Sequence, residues 1–309
     1  MLDAHRPHVL VLANGDDSQV APLTRALYGI EVPKQLAVIA GARSLLQAAV
    51  ERALGLTTPE RILVILSAPH EGVAREQLAA HPGLELVVQP RNLDRGPALA
   101  LGLLRVLARS SSARVVVLPA DHYVADAAPL HDALRHVARG AIAQRIALIG
   151  VPPSGPELEY GWLVPGRRIA RSEACEVRHF LDRPTAEEAT RLREASGLWN
   201  TSIEAGSVAA LWWLLSRRLP FHAAALERYA VAIGTPTEAV ALRDAYRLMP
   251  RAGFSHDVRA HADALAVMAV AGTGWSDWGS PARVFASLAG TADHAALVDR
   301  IRGEAVVTN

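Results

Sequence analysis

The sequence is poor in cysteine and carries almost no net charge. Cys175 is the only cysteine among 309 residues, so no intrachain disulfide can form. A single cysteine is typical of proteins that fold in a reducing compartment, and we expect a cytoplasmic protein. Lys and Arg number 32 against 31 Asp and Glu, which gives a net charge of +1. The sequence therefore predicts no basic surface for nucleic acid or for an anionic membrane, and we expect neither partner.

Long hydrophobic runs are also missing. The richest run, 264–271, is less than half of the roughly 20 residues that a membrane-spanning helix needs. Residues 1–8 lack the basic and then apolar layout of a secretory signal peptide. There is no internal repeat and no low-complexity tract. With 50% hydrophobic and 20% charged residues, the composition is that of an ordinary soluble globular protein.

Short apolar segments alternate with amphipathic segments through the first half of the chain. The predicted strands are 8–13, 61–67, 84–88, 114–118 and 146–150. The predicted helices are 42–56, 71–80, 96–108 and 128–137. The strands are apolar without strict alternation, which indicates a mainly parallel sheet that is buried on both faces. This order predicts a doubly wound, Rossmann-like α/β fold with helices on both sides of the sheet.

The second half changes character but adds to the same unit. Further strands are predicted at 160–164, 175–181, 198–204 and 264–270, with a mainly helical stretch over 208–248. We expect one domain over 1–309, composed of the halves 1–150 and 151–309. Ligands of such sheets bind beyond the carboxyl ends of parallel strands. Asn14 and Asp121 follow two of the predicted strands, so we expect a binding site there.

Six segments carry candidate chemistry. The first is LANGDDSQVAPLTR at 12–25, which is followed by PKQ at 33–35. A buried strand, a glycine turn and a lysine some twenty residues later can hold the phosphates of a nucleotide. The other segments are QPRN at 89–92 with GPA at 96–98, VVVLPADH at 115–122, EYGW at 159–162, VRHFLDRP at 177–184 with LWNT at 198–201, and GWSDWGS at 274–280.

In this order and spacing, the six segments resemble the sugar-1-phosphate nucleotidyltransferase family over nearly the whole chain. The resemblance is greatest to the mannose-1-phosphate guanylyltransferases, also called GDP-mannose pyrophosphorylases. It implies a GT-A-like fold and a reaction between a hexose 1-phosphate, such as mannose 1-phosphate, and GTP or another nucleoside triphosphate. It also implies Mg²⁺ as the cofactor, and it is compatible with a homodimer. The 309 residues leave no room for the β-helix that many members carry, so we expect none.

The resemblance also implies roles for individual residues, with 1–150 as the nucleotide-binding half and 151–309 as the sugar-phosphate-binding and helical half. The catalytic residues would be Arg25, Lys34, Asp121 and Arg183. The nucleotide-binding residues would be Leu12, Ala13, Asn14, Gly15, Gln89, Asn92, Gly96, Pro97 and Asp121. The sugar-phosphate-binding residues would be Gly161, Asp182, Arg183 and Asn200. The metal ligands would be Asp121 and Asp277, since Mg²⁺ prefers carboxylate and phosphate oxygens.

Two positions in the 14–19 loop depart from the family pattern. Asp17 stands where the family has glycine, and Gln19 stands where it has a phosphate-binding arginine. Two interpretations therefore stay open: a working nucleotidyltransferase, and a catalytically impaired relative that binds a sugar nucleotide or regulates a partner. A glycosyltransferase is disfavoured because no Asp-x-Asp triplet follows the fourth strand. For Asp121 and Asp277 the alternative role is that of a helix cap or turn residue.

Overall fold

The first half of the chain forms a parallel sheet between two layers of helices. The computed structural model describes residues 6–15, 18–138, 142, 145–254 and 265–307. Strands β1 (His8–Ala13), β2 (Ile62–Ser67), β3 (Glu85–Gln89) and β4 (Arg114–Pro119) lie side by side in the order β3-β2-β1-β4, and all are parallel. The helices of this half are α1 (Ala21–Tyr28), α2 (Leu45–Leu54), α3 (Glu71–Gln77), α4 (Arg95–Arg109) and α5 (Ala128–Ala138).

Strand β1 shows why the sheet is buried on both faces. All six of its residues are buried, and successive side chains point to opposite faces of a strand. Leu10 and Leu12 therefore pack into the core beneath α4, whereas Val9 and Val11 pack into the core beneath α2. In α4, a Cβ on Gly102 would lie 3.0 Å from Leu10 Cδ1, so a glycine lets the helix approach the sheet closely.

The rest of the chain, from residue 146 onward, extends the sheet. Its strands are β5 (Ile146–Val151), β6 (Gly161–Arg168), β7 (Cys175–Asp182), β8 (Leu198–Ser207) and β9 (Leu265–Ala269). Its helices are α6 (Ala186–Glu194), α7 (Val208–Arg218), α8 (Pro220–Ala230), α9 (Glu238–Leu248), α10 (Pro281–Leu288) and α11 (Ala292–Val307). Over the described residues, the nine strands form one sheet in the order β3-β2-β1-β4-β8-β5-β9-β7-β6.

The α/β fold is confirmed, and part of the sheet is parallel. Neighbouring strands among β1 to β4 are parallel, and so are β5 and β9. The other neighbouring strands are antiparallel, because β7 and β8 run in the opposite direction. Strand β8 pairs with β4, β5 and β6. Because β8 also pairs with β6, the strands β8-β5-β9-β7-β6 form a closed ring of pairings. This ring brings the first residues of β6 and β8 beside the carboxyl ends of β4 and β5.

Candidate active site

The loop after β1 and the loop after β4 form the centre of the site. Gly15 follows β1, and a Cβ added to it would lie 3.2 Å from Asp121 Oδ2, so a side chain here would press against the carboxylate. Asn92 Nδ2 donates to the carbonyl oxygen of Asn14 at 2.7 Å, which ties this loop to the loop after β3. Gln35 Nε2 donates to the carbonyl oxygens of Gly15 at 3.2 Å and Ala13 at 3.4 Å. The loop is therefore fixed by polar contacts from two directions.

Lys34 joins three separate parts of the chain. Its Nζ lies 3.2 Å from Asp121 Oδ2, after β4, and donates to the carbonyl oxygen of Asp277, after β9, at 2.8 Å. The residue is only 3% exposed, which is rare for lysine and requires a compensating charge. The prediction that Lys34 is a site residue rather than a solvated surface lysine agrees with this burial.

The Asp121 carboxylate is held in its charged form. Burial opposes ionisation, but the Lys34 ammonium and hydrogen bonds to the carboxylate outweigh it, and the pKa of Asp121 lies below its usual value. Burial lowers the pKa of the neighbouring His122. Trp275 Nε1 donates to His122 Nδ1 at 3.3 Å, so a neutral His122 carries its proton on Nε2. That nitrogen is 3.7 Å from Asp121 Oδ1. His122 thus presents a neutral donor to the carboxylate.

A cleft of about 430 Å³ opens above these loops. Of the predicted residues, it is lined by Leu12, Asn14, Gly15, Asn92, Asp121 and Arg183. It is also lined by residues outside the predicted catalytic, binding and metal residues: Asp94, Arg95, Pro119, His122, Ser202 and Arg251. Three arginines therefore face one cleft that has Asp121 in its floor, and such planar guanidinium groups suit phosphate oxygens.

Two polar contacts fix the side chain of Arg95. Its side chain donates to the carbonyl oxygen of Ser202 at 2.9 Å and to Glu204 Oε1 at 3.0 Å. Glu204 is 6% exposed, so the ion pair is largely shielded from water. Arg183 has a positive φ of 52° directly after β7, which turns the chain at the cleft wall. Sequence motifs identify Arg183, but Arg251 lies after α9 outside every motif, so no sequence signal points to it.

The predicted sugar-phosphate residues meet where β6, β7 and β8 come together. Gly161 pairs in register with Asp182 across β6 and β7. A Cβ on Gly161 would lie 3.5 Å from Asp182 Oδ1 and 3.5 Å from Asn200 Cβ, so the three residues are neighbours. Asn200 Oδ1 accepts from the Ser202 N–H at 3.1 Å, and Ser202 lines the cleft. This cluster adjoins the cleft at its Arg183 side, and its ligand stays a prediction.

The carboxylate of Asp277 is occupied by other side chains. It accepts from Tyr160 Oη at 2.8 Å, from the Gly279 N–H at 2.9 Å and from Arg283 Nη1 at 2.9 and 3.1 Å. Arg283 also pairs with Glu157 and Glu159, and it lies 4.7 Å above the Tyr160 ring. Burial and the nearby Asp277 charge raise the pKa of Tyr160 well above its usual value. Asp277 thus contributes its backbone carbonyl to Lys34 and its carboxylate to Arg283.

Some predicted residues lie away from the cleft. Arg25 pairs with Glu31 at 2.6 Å, and its side chain is 59% exposed, so the structure places it on the surface and outside the cleft lining. Its catalytic role stays a prediction. Gln89 is fully buried and accepts a hydrogen bond from Tyr246 Oη at 3.0 Å, which directs its side chain into the core.

Gly96 and Pro97 are also away from the cleft, because they are buried in the first turn of α4. A Cβ on Gly96 would lie 2.8 Å from the Ala252 carbonyl oxygen, so this glycine serves packing. Ala13 is 2% exposed and packs, with Val9 and Val11, into the core beneath α2.

Two negative observations apply to the part of the chain that the structure describes. It contains no group of three or more His, Cys, Asp or Glu side chains placed to hold a metal ion. None of its helices combines the length and apolarity needed to cross a membrane. Asp17, one of the two residues on which the alternative interpretation depends, lies outside the described residues. Gln19 lies within a short 3₁₀ turn, Ser18–Val20, and is exposed.

Known proteins share both the sequence pattern and the fold. The family model described as "Nucleotidyl transferase" matches residues 8–292. The alginate biosynthesis protein AlgA of Pseudomonas putida is 29% identical over 201 residues, which cover 63% of this chain and 40% of that protein. A mannose-1-phosphate guanylyltransferase of Escherichia coli K12 is 29% identical over 295 residues, 92% of this chain and 60% of that protein. The chain thus spans less than two thirds of these curated relatives.

A solved structure agrees with this comparison. The crystal structure described as a mannose-1-phosphate geranyltransferase from Thermus thermophilus superposes with a TM-score of 0.77 at 27% identity. The superposition covers 91% of this chain and 79% of that one. The similarity therefore extends over both halves of the chain.

Proposed function

The chain belongs to the nucleotidyl transferase family, and from this premise we propose that it joins a sugar 1-phosphate to a nucleoside triphosphate and releases pyrophosphate. The proposed substrates are mannose 1-phosphate, or a similar hexose 1-phosphate, and GTP. The observation that carries the proposal is the Asp121 carboxylate in the lining of a cleft shared with Arg95, Arg183 and Arg251, with the buried Lys34 ammonium 3.2 Å behind it. Such an arrangement of charges suits a bound polyphosphate.

The reaction needs positioning and charge neutralisation more than proton transfer. An oxygen of the sugar 1-phosphate attacks the α-phosphorus, and pyrophosphate leaves on the opposite side. Lys34 is held by Asp121 and by the Asp277 carbonyl, so its ammonium is already fixed where negative charge develops. Arg95 and Arg251 supply the charge that the family arginine at position 19 would have supplied, and Arg183 faces the sugar-phosphate side.

Asp121 fits the role of a Mg²⁺ ligand. Its carboxylate is ionised and lies in the cleft, and Mg²⁺ often uses one or two carboxylates together with substrate phosphates and water. Mg²⁺ bound there would neutralise phosphate charge. Asp277 fits this role less well, because its carboxylate oxygens accept hydrogen bonds from Arg283. A metal shared by Asp121 and Asp277 stays a prediction, and it requires that Arg283 release Asp277.

The direct test is pyrophosphate release from a panel of nucleoside triphosphates and hexose 1-phosphates. We expect turnover with GTP and mannose 1-phosphate, and a loss of about a hundredfold or more in Lys34→Met, in line with the removal of one preorganised charge. Arg25→Gln is the matched control, because Arg25 is a surface cation outside the cleft. Binding of a nucleotide sugar without turnover of any substrate pair would instead favour a non-catalytic relative.

The metal assignment has its own test. Asp121→Asn and Asp277→Asn are compared by the Mg²⁺ concentration that gives half-maximal turnover. An increase in both variants supports a shared metal, whereas an increase in Asp121→Asn alone leaves Asp277 as a partner of Arg283. Chelation of divalent ions with EDTA should abolish turnover, and added Mg²⁺ should restore it.

A further inference from the structure

A second cavity lies behind the loops that carry Asp121 and Asp277. Its volume is about 320 Å³, within the range of small-molecule pockets. One wall is the face of α2 formed by Leu45, Ala48 and Arg52, which recur at helical spacing. The remaining lining residues are Ala37, Ile39, Ala40, Gly41, Ala42, Arg43, Tyr123, Val124, Trp278 and Asp293. No residue lines both this cavity and the cleft: Asp121 and His122 face the cleft, and the next two residues face the cavity.

The notable residue of this cavity is Arg52. It is 7% exposed, and no carboxylate among the described residues lies within 4.0 Å of its guanidinium. Its one hydrogen bond within the described chain goes to the carbonyl oxygen of His122, at 3.2 Å. The adjacent Glu51 pairs with Arg43 at 2.6 Å instead. Burying a cation without a counter-ion is costly, and burial lowers the pKa of Arg52 to about 10.

The other walls suit a small ligand with a charged end. Ile39, Leu45 and Ala48 form an apolar side. Tyr123 and Trp278 stack face to face, with their centroids 4.5 Å apart and an interplanar angle of 9°. This stack therefore forms a rigid wall. Three further charged groups face or border the cavity: Arg43 at its edge, the Glu51 carboxylate that neutralises Arg43, and Asp293 from the first turn of α11.

We propose that this cavity binds a small oxyanion, such as a phosphate group, whose charge is matched by Arg52. The planar guanidinium offers several N–H donors, of which one is used by His122, and phosphate oxygens can accept the others in parallel. Asp293 also lines the cavity, and its carboxylate disfavours a ligand that is anionic over its whole length. The site is separate from the cleft in which the proposed substrates bind.

The experiment is a calorimetric titration of the full chain with inorganic phosphate. We expect binding in the millimolar range or tighter, weakened about tenfold or more in Arg52→Gln, because a charge-assisted contact is lost. Arg43→Gln is the matched control from the same cavity, since Glu51 already neutralises Arg43, and its affinity should stay within about twofold. Ala48→Phe fills the cavity without changing its charge and should also weaken binding.

A cleft variant separates this site from the proposed active site. Phosphate bound among the cleft arginines would be lost in Arg251→Gln and kept in Arg52→Gln, and that result would overturn the proposal. It is also overturned if the native chain binds no phosphate, or if Ala48→Phe binds it as the native chain does. Should Arg52→Gln fail to fold, Ala48→Phe and Arg251→Gln decide the question together. Because phosphate binding is measured without turnover, failure of the proposed transferase activity does not affect this test.

Discussion

At the scale of single residues, the cleft is distinguished by how its cations are held. Lys34 is fixed by Asp121 and by a backbone carbonyl, and Arg95 is fixed by Glu204 and by the carbonyl of Ser202. Ordering a long side chain normally costs conformational entropy when a ligand binds. Here that cost is met when the chain folds, so charge is in place before the ligand arrives.

The cleft arginines should contribute to the binding of the triphosphate. Arg251→Gln removes one charge from the lining, and we expect the KM for GTP to rise by about tenfold or more with a smaller change in kcat. Arg25→Gln serves as the control because its side chain is exposed and outside the lining. Steady-state kinetics at saturating mannose 1-phosphate gives the comparison. An unchanged KM in Arg251→Gln would remove Arg251 from the proposed phosphate contacts.

His8 should make stability depend on pH. Burial, followed by the charges of Arg61 and Arg109, lowers its pKa to about 4 from an ordinary value of 6.5. Between pH 6.5 and 4 the unfolded chain therefore binds more protons, and the free energy of unfolding falls as the pH falls. His122, whose pKa burial also lowers, acts in the same direction.

The contribution of His8 can be isolated by substitution. In His8→Gln, urea unfolding should show a pH dependence between 6.5 and 4 that is shallower by up to about one proton. If His8→Gln unfolds with the pH dependence of the native chain, His8 does not contribute to that dependence.

At the scale of helices and strands, two capping boxes form a matched pair. Ser44 caps α2, where its Oγ accepts from the Gln47 N–H at 3.2 Å and donates to Gln77 Oε1 at 2.6 Å. Thr185 caps α6, where its Oγ1 accepts from the Glu188 N–H at 3.3 Å. Ser44 is fully buried and Thr185 is exposed. The two caps therefore make the same capping-box hydrogen bonds and differ in whether water can reach the capping hydroxyl.

Burial should decide how much each cap stabilises the fold. We expect Thr185→Ala to lower the free energy of unfolding by roughly 0.5–1 kcal/mol, the ordinary value of an N-cap. Ser44→Ala should cost about 2 kcal/mol or more, because it also leaves Gln77 Oε1 without this donor in a partly buried place. Urea denaturation of both variants measures the difference. Equal losses would mean that water replaces the serine hydroxyl.

The strands show what could be predicted from the sequence. The predictions 61–67 and 84–88 correspond to Ile62–Ser67 and Glu85–Gln89, because short apolar runs between turns have few other ways to fold. The helical stretch 208–248 divides into α7, α8 and α9, where Pro220 begins a new helix. The insertion of β8 beside β4 was not predictable, because pairing partners far apart leave no mark on local periodicity.

The same distinction applies to the site. The motifs bring Asn14 and Asp121 to one place because each follows a strand of the parallel sheet, and Lys34 reaches Asp121 from a turn after α1. They do not determine where a side chain points. Arg25 shares a motif with the site yet faces solvent, whereas Arg251, outside all motifs, lines the cleft. A sequence match therefore predicts where the backbone of a residue lies in the fold. Which groups its side chain contacts depends on the packing around it.

At the scale of the whole molecule, the two halves share one sheet. Strand β4 of the first half pairs with β8 of the second, and both core clusters include residues from the two halves. Strand pairing and a shared core both favour a single cooperative unit. We therefore propose that 1–150 and 151–309 are halves of one domain.

This proposal predicts a single unfolding transition. All six tryptophans lie between 162 and 278, so their fluorescence reports on the second half and on its contacts with the first, whereas far-ultraviolet circular dichroism reports on the entire chain. The two urea midpoints should coincide. Val64→Ala, in the fully buried strand β2, should lower both midpoints equally by removing roughly 1–3 kcal/mol of stability. A fluorescence midpoint that stays in place would show that the second half unfolds on its own.

The burial of Lys34 has one more consequence. It is the only lysine in the sequence, since the other basic side chains counted with it are arginines. Amine-reactive acylating reagents thus find one side-chain target, and its side chain is only 1% exposed and paired with Asp121. Acylation of Lys34 requires the loops around it to open, and a nucleotide in the cleft would cover it. The mass added to a single proteolytic peptide thereby becomes a direct measure of how often this site opens and of what closes it.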